Sequence, residues 1–439
     1  TICAAAVVFA ACGFLDVDPN DKVSAEAVVS SPAGIEAFLA NLYYQMPIEA
    51  FDFSPKTDPD DGGSTYYQSF HYNASNPNNN ARYAWILTDD CTGSQLDEIP
   101  GTGDYGWWEP AYELLNNVNS FFALIPTFTS VDDATRNELT GQAWFIRGQV
   151  YLALARRYGG VCIIEEVGDI DDVESLNVPR STEVETWDYV LNCFDKAAQY
   201  LSEEDNGYRT MANKWAALAY KSRAALHAAS LAKYWNKAPL SGDAVSQGLV
   251  GGFSMADQER YYRACLSASE EIINSGRFSL YMSEPATPEE AAENYTHMFS
   301  KPEDATVESI FVRGFTKKGA LFGTNQDSWC NPAQTGGAWP HPGRCNPSLE
   351  YAENFETYDN PGNSVKFVTY GGDAYDYTGY IPSRAYRKFS DPLEMFAGKD
   401  ARLAATTILP GSTWKNTRIV IQGGVITMSG EIKMDEENK

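Results

Sequence analysis

The sequence predicts a mainly α-helical protein in which paired helices form a scaffold for long irregular loops, with a few short strands. Three observations indicate this. Apolar residues recur every three or four positions through the middle of the chain, several of these stretches begin or end at capping residues, and two long stretches rich in Gly, Asn and Pro lack such a period. Successive helices of this kind indicate a helical-repeat scaffold, and their irregular spacing makes it an atypical one.

The clearest helical pattern covers residues 132–158. Its apolar stripe consists of residues three or four positions apart, namely Leu139, Ala143, Ile146, Val150 and Leu154. We expect the helix to end at Gly159-Gly160, because glycine adopts the left-handed backbone that closes a helix most easily. Residues 161–164 are then predicted to form a short extended segment.

Five further helices are predicted from the same period. One is expected to begin behind Ser181-Thr182 and to run to Leu201, because Glu183 and Glu185 stand in its first turn. The others cover residues 35–44, 112–124, 211–231 and 257–274. We therefore predict one domain over residues 12–439. Its helical part covers about 30–45, 110–160 and 180–280, and its loop-rich part covers about 46–109 and 300–439.

The first residues are typical of the end of a secretory signal. Residues 4–11 are uncharged and mostly small, and Ala10-Ala11 stand directly before Cys12. A cysteine at this place is where a bacterial lipoprotein is cut and acylated. We therefore predict that residues 1–11 are a truncated signal peptide and that Cys12 carries the lipid, since the apolar run is far shorter than the about 20 residues that span a bilayer. The alternative is a leading segment that forms a buried strand or helix.

Composition limits the kind of partner. Of the 439 residues, 44% are hydrophobic, which is enough for a sizeable core, and the formal net charge is -26. Binding of nucleic acid needs clustered Lys and Arg against the phosphates, so this charge argues against it. The same reasoning disfavours strongly anionic polysaccharides. A neutral partner therefore fits best.

The cysteines and acidic residues do not predict a metal site. With eight cysteines, no CxxC pair and only four histidines, a zinc site is not expected. The acidic stretches 58–61 and 169–172 are expected to be solvated loops, because no Glu follows residues 58–61 at the spacing of an EF-hand. We predict no cofactor, with a structural calcium ion as an open alternative. For Cys330 and Cys345, a disulfide and two free thiols are equally open.

Two tracts of the loop-rich part combine aromatic side chains with Asn, Asp, Gln and Arg: the first tract, residues 66–108, and the second tract, residues 325–344. A sugar ring has apolar C–H faces and hydroxyl edges, so a site for a neutral glycan needs flat rings for stacking and a few polar groups around them. Loops of this length are uncommon without a function. Our candidate ligand-binding residues are Trp329, Trp339, Tyr67, Tyr72, Trp85, Asp89, Asp90, Trp107 and Arg344. For each aromatic residue, structural packing is the alternative.

Six segments, in the same order along the chain, resemble the SusD/RagB family. They are residues 12–19, 144–151 with 157–161, 178–182, 262–280, 308–311 and 399–403. Among them, Pro179-Arg180-Ser181-Thr182 is similar to the family's Pro-Arg-Ser-Thr helix entry. The chain departs from the family at Cys162 and Ala401, where members have Pro. It also ends at Lys439, so we expect the family's C-terminal part to be missing.

This resemblance implies a fold and a role. The fold is a scaffold of atypical tetratricopeptide-like helix pairs, with the glycan site in the irregular loops on one side. The resemblance also implies a lipid-anchored protein on the outer face of the outer membrane in Bacteroidota. Such a protein binds oligosaccharide or polysaccharide and delivers it to a SusC-like TonB-dependent transporter.

Other functions are weighed against this one. A helical-repeat scaffold that binds proteins, and a binder of peptides or another non-sugar nutrient, are the alternatives. Glycoside hydrolysis needs two carboxylates about 5–10 Å apart, which a sequence cannot exclude. However, the sequence contains no Gly-x-Ser-x-Gly elbow, HExxH helix, phosphate loop or dinucleotide fingerprint. We therefore predict a protein that is not an enzyme and name no catalytic residue.

Overall fold

A computed structural model describes residues 31–46, 91–93, 108–301 (apart from 170, 173, 175, 206, 208, 238 and 239), 304, 307–312, 331–335, 345–366, 389–421, 424–426 and 432–434. In these ranges helices predominate and the strands are short, which confirms the predicted fold class. None of the helices in the same ranges is both long enough and apolar enough to cross a membrane.

The six predicted helices are confirmed, with ends that differ by a few residues. The α-helices of the described ranges are α1 (Pro32–Gln45), α2 (Trp108–Leu124), α3 (Asp133–Tyr158), α4 (Glu183–Tyr200), α5 (Lys214–Tyr234), α6 (Asp243–Ser246), α7 (Met255–Asn274), α8 (Pro288–Ser300), α9 (Leu349–Glu353) and α10 (Ala401–Thr406). The sequence analysis did not find α8, although Thr287 accepts a hydrogen bond from Glu290 N–H and so caps it.

The described strands form three separate antiparallel pairs. β1 (Cys91–Gly93) pairs with β2 (Cys345–Pro347), β3 (Thr413–Trp414) pairs with β4 (Thr417–Arg418), and β5 (Gly424–Ile426) pairs with β6 (Ile432–Met434). The second and third pairs join neighbouring segments, whereas the first joins two distant parts of the chain.

Capping residues fix the ends of the two central helices. Thr182 Oγ1 accepts the Glu185 N–H at 3.2 Å, and Glu185 Oε2 accepts the Thr182 N–H at 2.8 Å, which is a complete capping box at the start of α4. Asp132 caps α3 by accepting the Thr135 N–H at 2.8 Å. At the other end of α3, Gly159 has φ of 69°, so the predicted glycine stop is confirmed.

The chain forms two compact units. The first takes its residues from 1–46, 111–204 and 220–265, and the second from 47–110, 205–219 and 266–439. In the first unit, aromatic side chains connect successive helices edge to face or by stacking. The pairs are Phe38–Phe121, Phe122–Trp144, Phe145–Phe194 and Phe194–Tyr220, with ring centroids 5.1 to 6.0 Å apart.

Helix α3 is the centre of the first unit. The whole predicted stripe is buried, and so are most other residues from Gly141 to Ala155. The single-stripe prediction was therefore too narrow, because this helix is surrounded by neighbours instead of lying at the surface. Two glycines let α3 approach the chain of α4 closely. A Cβ on Gly141 would lie 2.7 Å from Leu201 Cγ, and one on Gly148 would lie 2.9 Å from a ring atom of Phe194.

The segment that follows α3 is held in place by side chains. It pairs with no strand among the described residues. Arg147 is buried and its Nη2 donates to Asn119 Oδ1 at 2.6 Å. The Asn119 amide in turn donates to the carbonyl oxygens of Ile164 and Glu166. Tyr151 Oη accepts the Ile164 N–H at 2.7 Å. This polar network satisfies backbone groups that a sheet would otherwise satisfy.

The second unit has a small apolar core beside its loops. Ala352, Leu403 and Leu409 are buried there, and the side chains packed against them are those of Leu349, Phe355, Met395 and Phe396. Helices α8 and α10, which also belong to the second unit, pack against each other.

Candidate functional site

All of the predicted ligand-binding residues lie outside the described residues. They are Tyr67, Tyr72, Trp85, Asp89, Asp90, Trp107, Trp329, Trp339 and Arg344. The predicted lipidation site Cys12, the acidic stretch 58–61 and Cys330 lie outside them too. The described backbone next to the two tracts, however, shows how their ends are anchored.

The pair of strands β1 and β2 joins the two tracts. β1 stands inside the first tract, directly after Asp90, and β2 begins directly after Arg344, the last residue of the second tract. Their register places Thr92 opposite Asn346. Paired strands lie about 4.8 Å apart, and consecutive Cα atoms along one chain lie about 3.8 Å apart, so residues next to this pair in sequence stay close to it. The backbone of the first tract is therefore tied directly to the end of the second.

A second anchor holds residues 331–335, which belong to the second tract. Asn331 is buried, with 7% of its surface exposed, and its Oδ1 accepts the indole N–H of Trp414 at 2.7 Å. Gln334 makes a two-way amide contact with the backbone of Val420: its Oε1 accepts the Val420 N–H at 2.8 Å, and its Nε2 donates to the Val420 carbonyl. These three hydrogen bonds fasten the tract to the hairpin formed by β3 and β4.

The hairpin carries one exposed ion pair. Arg418 Nη2 lies 2.5 Å from Asp391 Oδ2, and both side chains are largely in solvent. A surface pair of this kind contributes only about 0–1 kcal/mol to stability.

Trp414, Asn331 and Gln334 are the residues of this arrangement that sequence reasoning missed. One signal was available: Trp414 stands before Lys415-Asn416 between two short β-prone pairs, and asparagine is favoured where a hairpin turn needs positive φ. The contacts of Asn331 and Gln334 with residues 414–420 are distant in sequence, so no local pattern indicates them.

The acidic, histidine and cysteine side chains of the described residues do not form a metal site. No group of three or more His, Cys, Asp or Glu side chains in them is arranged to hold a metal ion. In the acidic stretch 169–172, Asp169 Oδ1 accepts the Asp171 N–H at 2.9 Å, and both residues are exposed. This contact forms a local turn of the type that aspartate favours.

The structure describes the side chains of three cysteines. Among the described residues, Cys162, Cys193 and Cys265 are free thiols. Burial raises the pKa of the Cys193 thiol to about 12, so this thiol is unreactive at neutral pH. Whether Cys330 and Cys345 are bonded stays a prediction, since the structure does not describe their side chains.

Comparison with known proteins gives a consistent result. A sequence model of the SusD-like family described as "Starch-binding associating with outer membrane" matches residues 13–226. A SusD-like protein of Bacteroides ovatus is 26% identical over 220 residues, which are 49% of this chain and 36% of that protein. The chain thus aligns with about a third of that relative's length.

Two solved structures from Bacteroides fragilis share the fold. One is a SusD-like protein, with a TM-score of 0.58 over 90% of this chain and 64% of that chain. The other is a SusD-like carbohydrate-binding protein, with a TM-score of 0.59 over 91% of this chain and 64% of that chain. Each is 18% identical to this chain, a level at which the likeness concerns the fold.

Proposed function

We propose that this chain, whose residues 13–226 match the SusD-like family model, is a SusD/RagB protein that binds a neutral oligosaccharide or polysaccharide at the cell surface. The bound nutrient passes to a SusC-like TonB-dependent transporter in the outer membrane. The acyl chains on Cys12 hold the protein at the membrane, and the protein itself does not cleave the sugar.

The observation that carries the proposal is the joining of the two tracts. β1 and β2 tie the first tract to the end of the second, and the hairpin ties down residues 331–335. Residues 91–93 of the first tract and 331–335 of the second thus lie in one compact unit and are both held by contacts with distant segments. Preorganised aromatic faces with a few polar neighbours are what a glycan site requires, since fewer groups must be ordered on binding.

Charge supports a neutral ligand. The chain carries a formal charge of -26, so an anionic polymer would be repelled over most of its surface. An uncharged glycan meets no such barrier. Starch, which the description of the matching family names, is a polymer of this kind.

Binding is tested by calorimetric titration of the protein with maltoheptaose, laminarihexaose, xylohexaose and mannohexaose. We expect one of these neutral oligosaccharides to bind, and the double substitution W329A/W339A to weaken that binding roughly tenfold or more, because aromatic stacking contributes beyond buried area. The matched control is Trp235→Phe in the first unit, where the indole N–H donates to Phe253 O. Unchanged binding by the double variant would remove the two tryptophans from the site.

Two further measurements test the remaining parts. Incubation of the protein with the bound oligosaccharide is expected to release no reducing sugar; steady release would favour the hydrolase. Mass spectrometry of the protein from a membrane fraction is expected to find acyl chains on Cys12. An unmodified Cys12 in mature protein would contradict the anchor.

A protein-binding function is the second candidate, and one observation favours it. Several large apolar side chains of the second unit are well exposed: Ile273, Leu280, Met282 and Phe299 are 73%, 70%, 58% and 67% exposed. Exposed apolar side chains that form one continuous patch are typical of a surface that contacts another protein. A bound protein partner would cover these side chains, whereas a glycan bound at the tracts leaves them in solvent.

A further inference from the structure

The hairpin of β3 and β4 holds the side chain of Trp414 next to its turn. Lys415 and Asn416 form its turn with φ of 47° and 62°. Positive φ at both central residues defines a type I′ turn, the form whose twist matches that of a two-stranded hairpin. Two backbone bonds of 2.8 Å, Gly411 N–H to Ile419 O and Ile419 N–H to Ser412 O, extend the hairpin below the strands. Trp414 is therefore held at the last position before the turn.

Trp414 is exposed although its polar atom is fully used. Its indole N–H donates to the buried Asn331, yet 37% of the residue is in solvent. Among the tryptophans of the described ranges, it is the one in the exposed class. By contrast, Trp187 and Trp215 are 0% and 4% exposed and serve the core. The solvent at Trp414 therefore meets the carbon surface of a ring whose orientation is fixed.

The residues of β3 and β4 around the indole ring are polar, and the charged one among them, Arg418, is paired with Asp391. Thr417 stands directly opposite Trp414, so its hydroxyl shares the same face of the hairpin at about 5 Å between Cβ atoms. Thr413 and Arg418 share the opposite face, where Arg418 is paired with Asp391. An apolar ring bordered by a hydroxyl matches a pyranose, which has a C–H face and hydroxyl edges.

We propose that Trp414 is a stacking subsite for an uncharged sugar ring, next to the second tract. The proposal rests on the proposed function, since it adds a subsite to the same glycan site. The link is Asn331, which fixes the indole and stands two positions after Trp329 in the chain. The sugar ring stacks on the Trp414 indole, and Thr417 bonds a hydroxyl at the edge of that sugar.

The test compares three variants by calorimetric titration with whichever oligosaccharide of the panel the wild type binds. We expect Trp414→Ala to weaken binding roughly tenfold and Trp414→Phe to stay within about threefold of the wild type, because the phenyl ring keeps a stacking face. Arg418→Gln is the matched control. It lies on the same hairpin but on the opposite face, and we expect no change in affinity.

Each outcome decides between the proposals. If the wild type binds a glycan and Trp414→Ala binds it equally well, the subsite is wrong and the proposed function stands. If Trp414→Ala and Arg418→Gln weaken binding equally, the hairpin acts only as a support, and the subsite is also wrong. If the wild type binds no oligosaccharide of the panel, both proposals fail.

Discussion

Lys399 shows how a single side chain holds several loop segments of the second unit together. It is buried, and its Nζ donates to the carbonyl oxygens of Phe355 and Val365 at 2.7 Å and of Glu353 at 3.3 Å. All three ammonium protons therefore have partners. Burial nevertheless lowers the pKa of Lys399 below its ordinary value.

Replacement of Lys399 is expected to destabilise the protein strongly. Lys399→Met keeps the length of the side chain but removes the ammonium donor from the carbonyl oxygens of Phe355 and Val365, while the Glu353 carbonyl keeps the Val365 N–H; we expect a loss of about 2–4 kcal/mol of unfolding free energy. Chemical denaturation measures this change. The control is Lys301→Met, at an exposed position of the same unit, where we expect a change within about 0.5 kcal/mol. Equal effects of the two substitutions would contradict the assigned role.

Glu183 is a buried carboxylate at the start of α4. It is 5% exposed, and its Oε2 accepts the Gly251 N–H at 2.5 Å. Burial raises the pKa of Glu183, and the bonds from Gly251 and Trp187 offset only part of this effect. Since the folded-state pKa is raised, the folded state binds the proton more tightly than the unfolded chain. The resulting stability is present at low pH and is lost as pH rises through the raised pKa.

Two substitutions separate the charge of Glu183 from its hydrogen bond. Glu183→Gln keeps an acceptor for the Gly251 N–H and removes the buried charge, so we expect a higher melting temperature than wild type at pH 7. This difference should shrink on acidification towards pH 4, where the wild-type carboxyl is neutral. Glu183→Ala loses the acceptor and should destabilise by about 1–3 kcal/mol. A glutamine variant less stable than wild type at pH 7 would contradict this account.

At the scale of elements, the contact between α3 and the end of α4 depends on Gly141. A Cβ there would lie 2.9 Å from the backbone nitrogen of Leu201, and backbone cannot move aside cheaply. Alanine favours a helix over glycine by about 1 kcal/mol, but the overlap acts in the opposite direction.

We expect Gly141→Ala to destabilise the protein by about 1–3 kcal/mol despite the better helix propensity of alanine. Thermal unfolding followed by circular dichroism measures this effect. Asn137→Ala, at an exposed position of the same helix, is the control and should be neutral or slightly stabilising. Stabilisation by Gly141→Ala would show that the two segments are not in close contact.

Elements with a local signal could be predicted from the sequence. The capping box of Thr182 and Glu185 and the glycine stop at Gly159 both depend on neighbouring residues, and the structure confirms them. α8 was missed although its start carries local signals: Thr287 caps it, Pro288 stands in its first turn, and Glu289 and Glu290 follow. The side-chain network around Arg147 was also missed, since period arguments place an arginine at the surface.

At the scale of the whole molecule, the candidate site could be predicted only in part. The aromatic and amide-rich composition of the tracts indicates a ligand surface, but composition does not tell which loops meet. The pairing of residues 91–93 with 345–347 and the contacts of Asn331 with Trp414 join segments far apart in sequence. Such contacts follow from the fold as a whole, so no local sequence pattern indicates them.

Hydrogen–deuterium exchange with and without the bound oligosaccharide tests the central claim most directly, because it reports where the ligand slows backbone opening. The account predicts slower exchange in the second tract, in β1 and β2, and in residues 413–421, with α3 and α4 unchanged. Slower exchange confined to α7 and α8, where the exposed Ile273 and Phe299 lie, would contradict it, because the sugar would then bind outside both tracts.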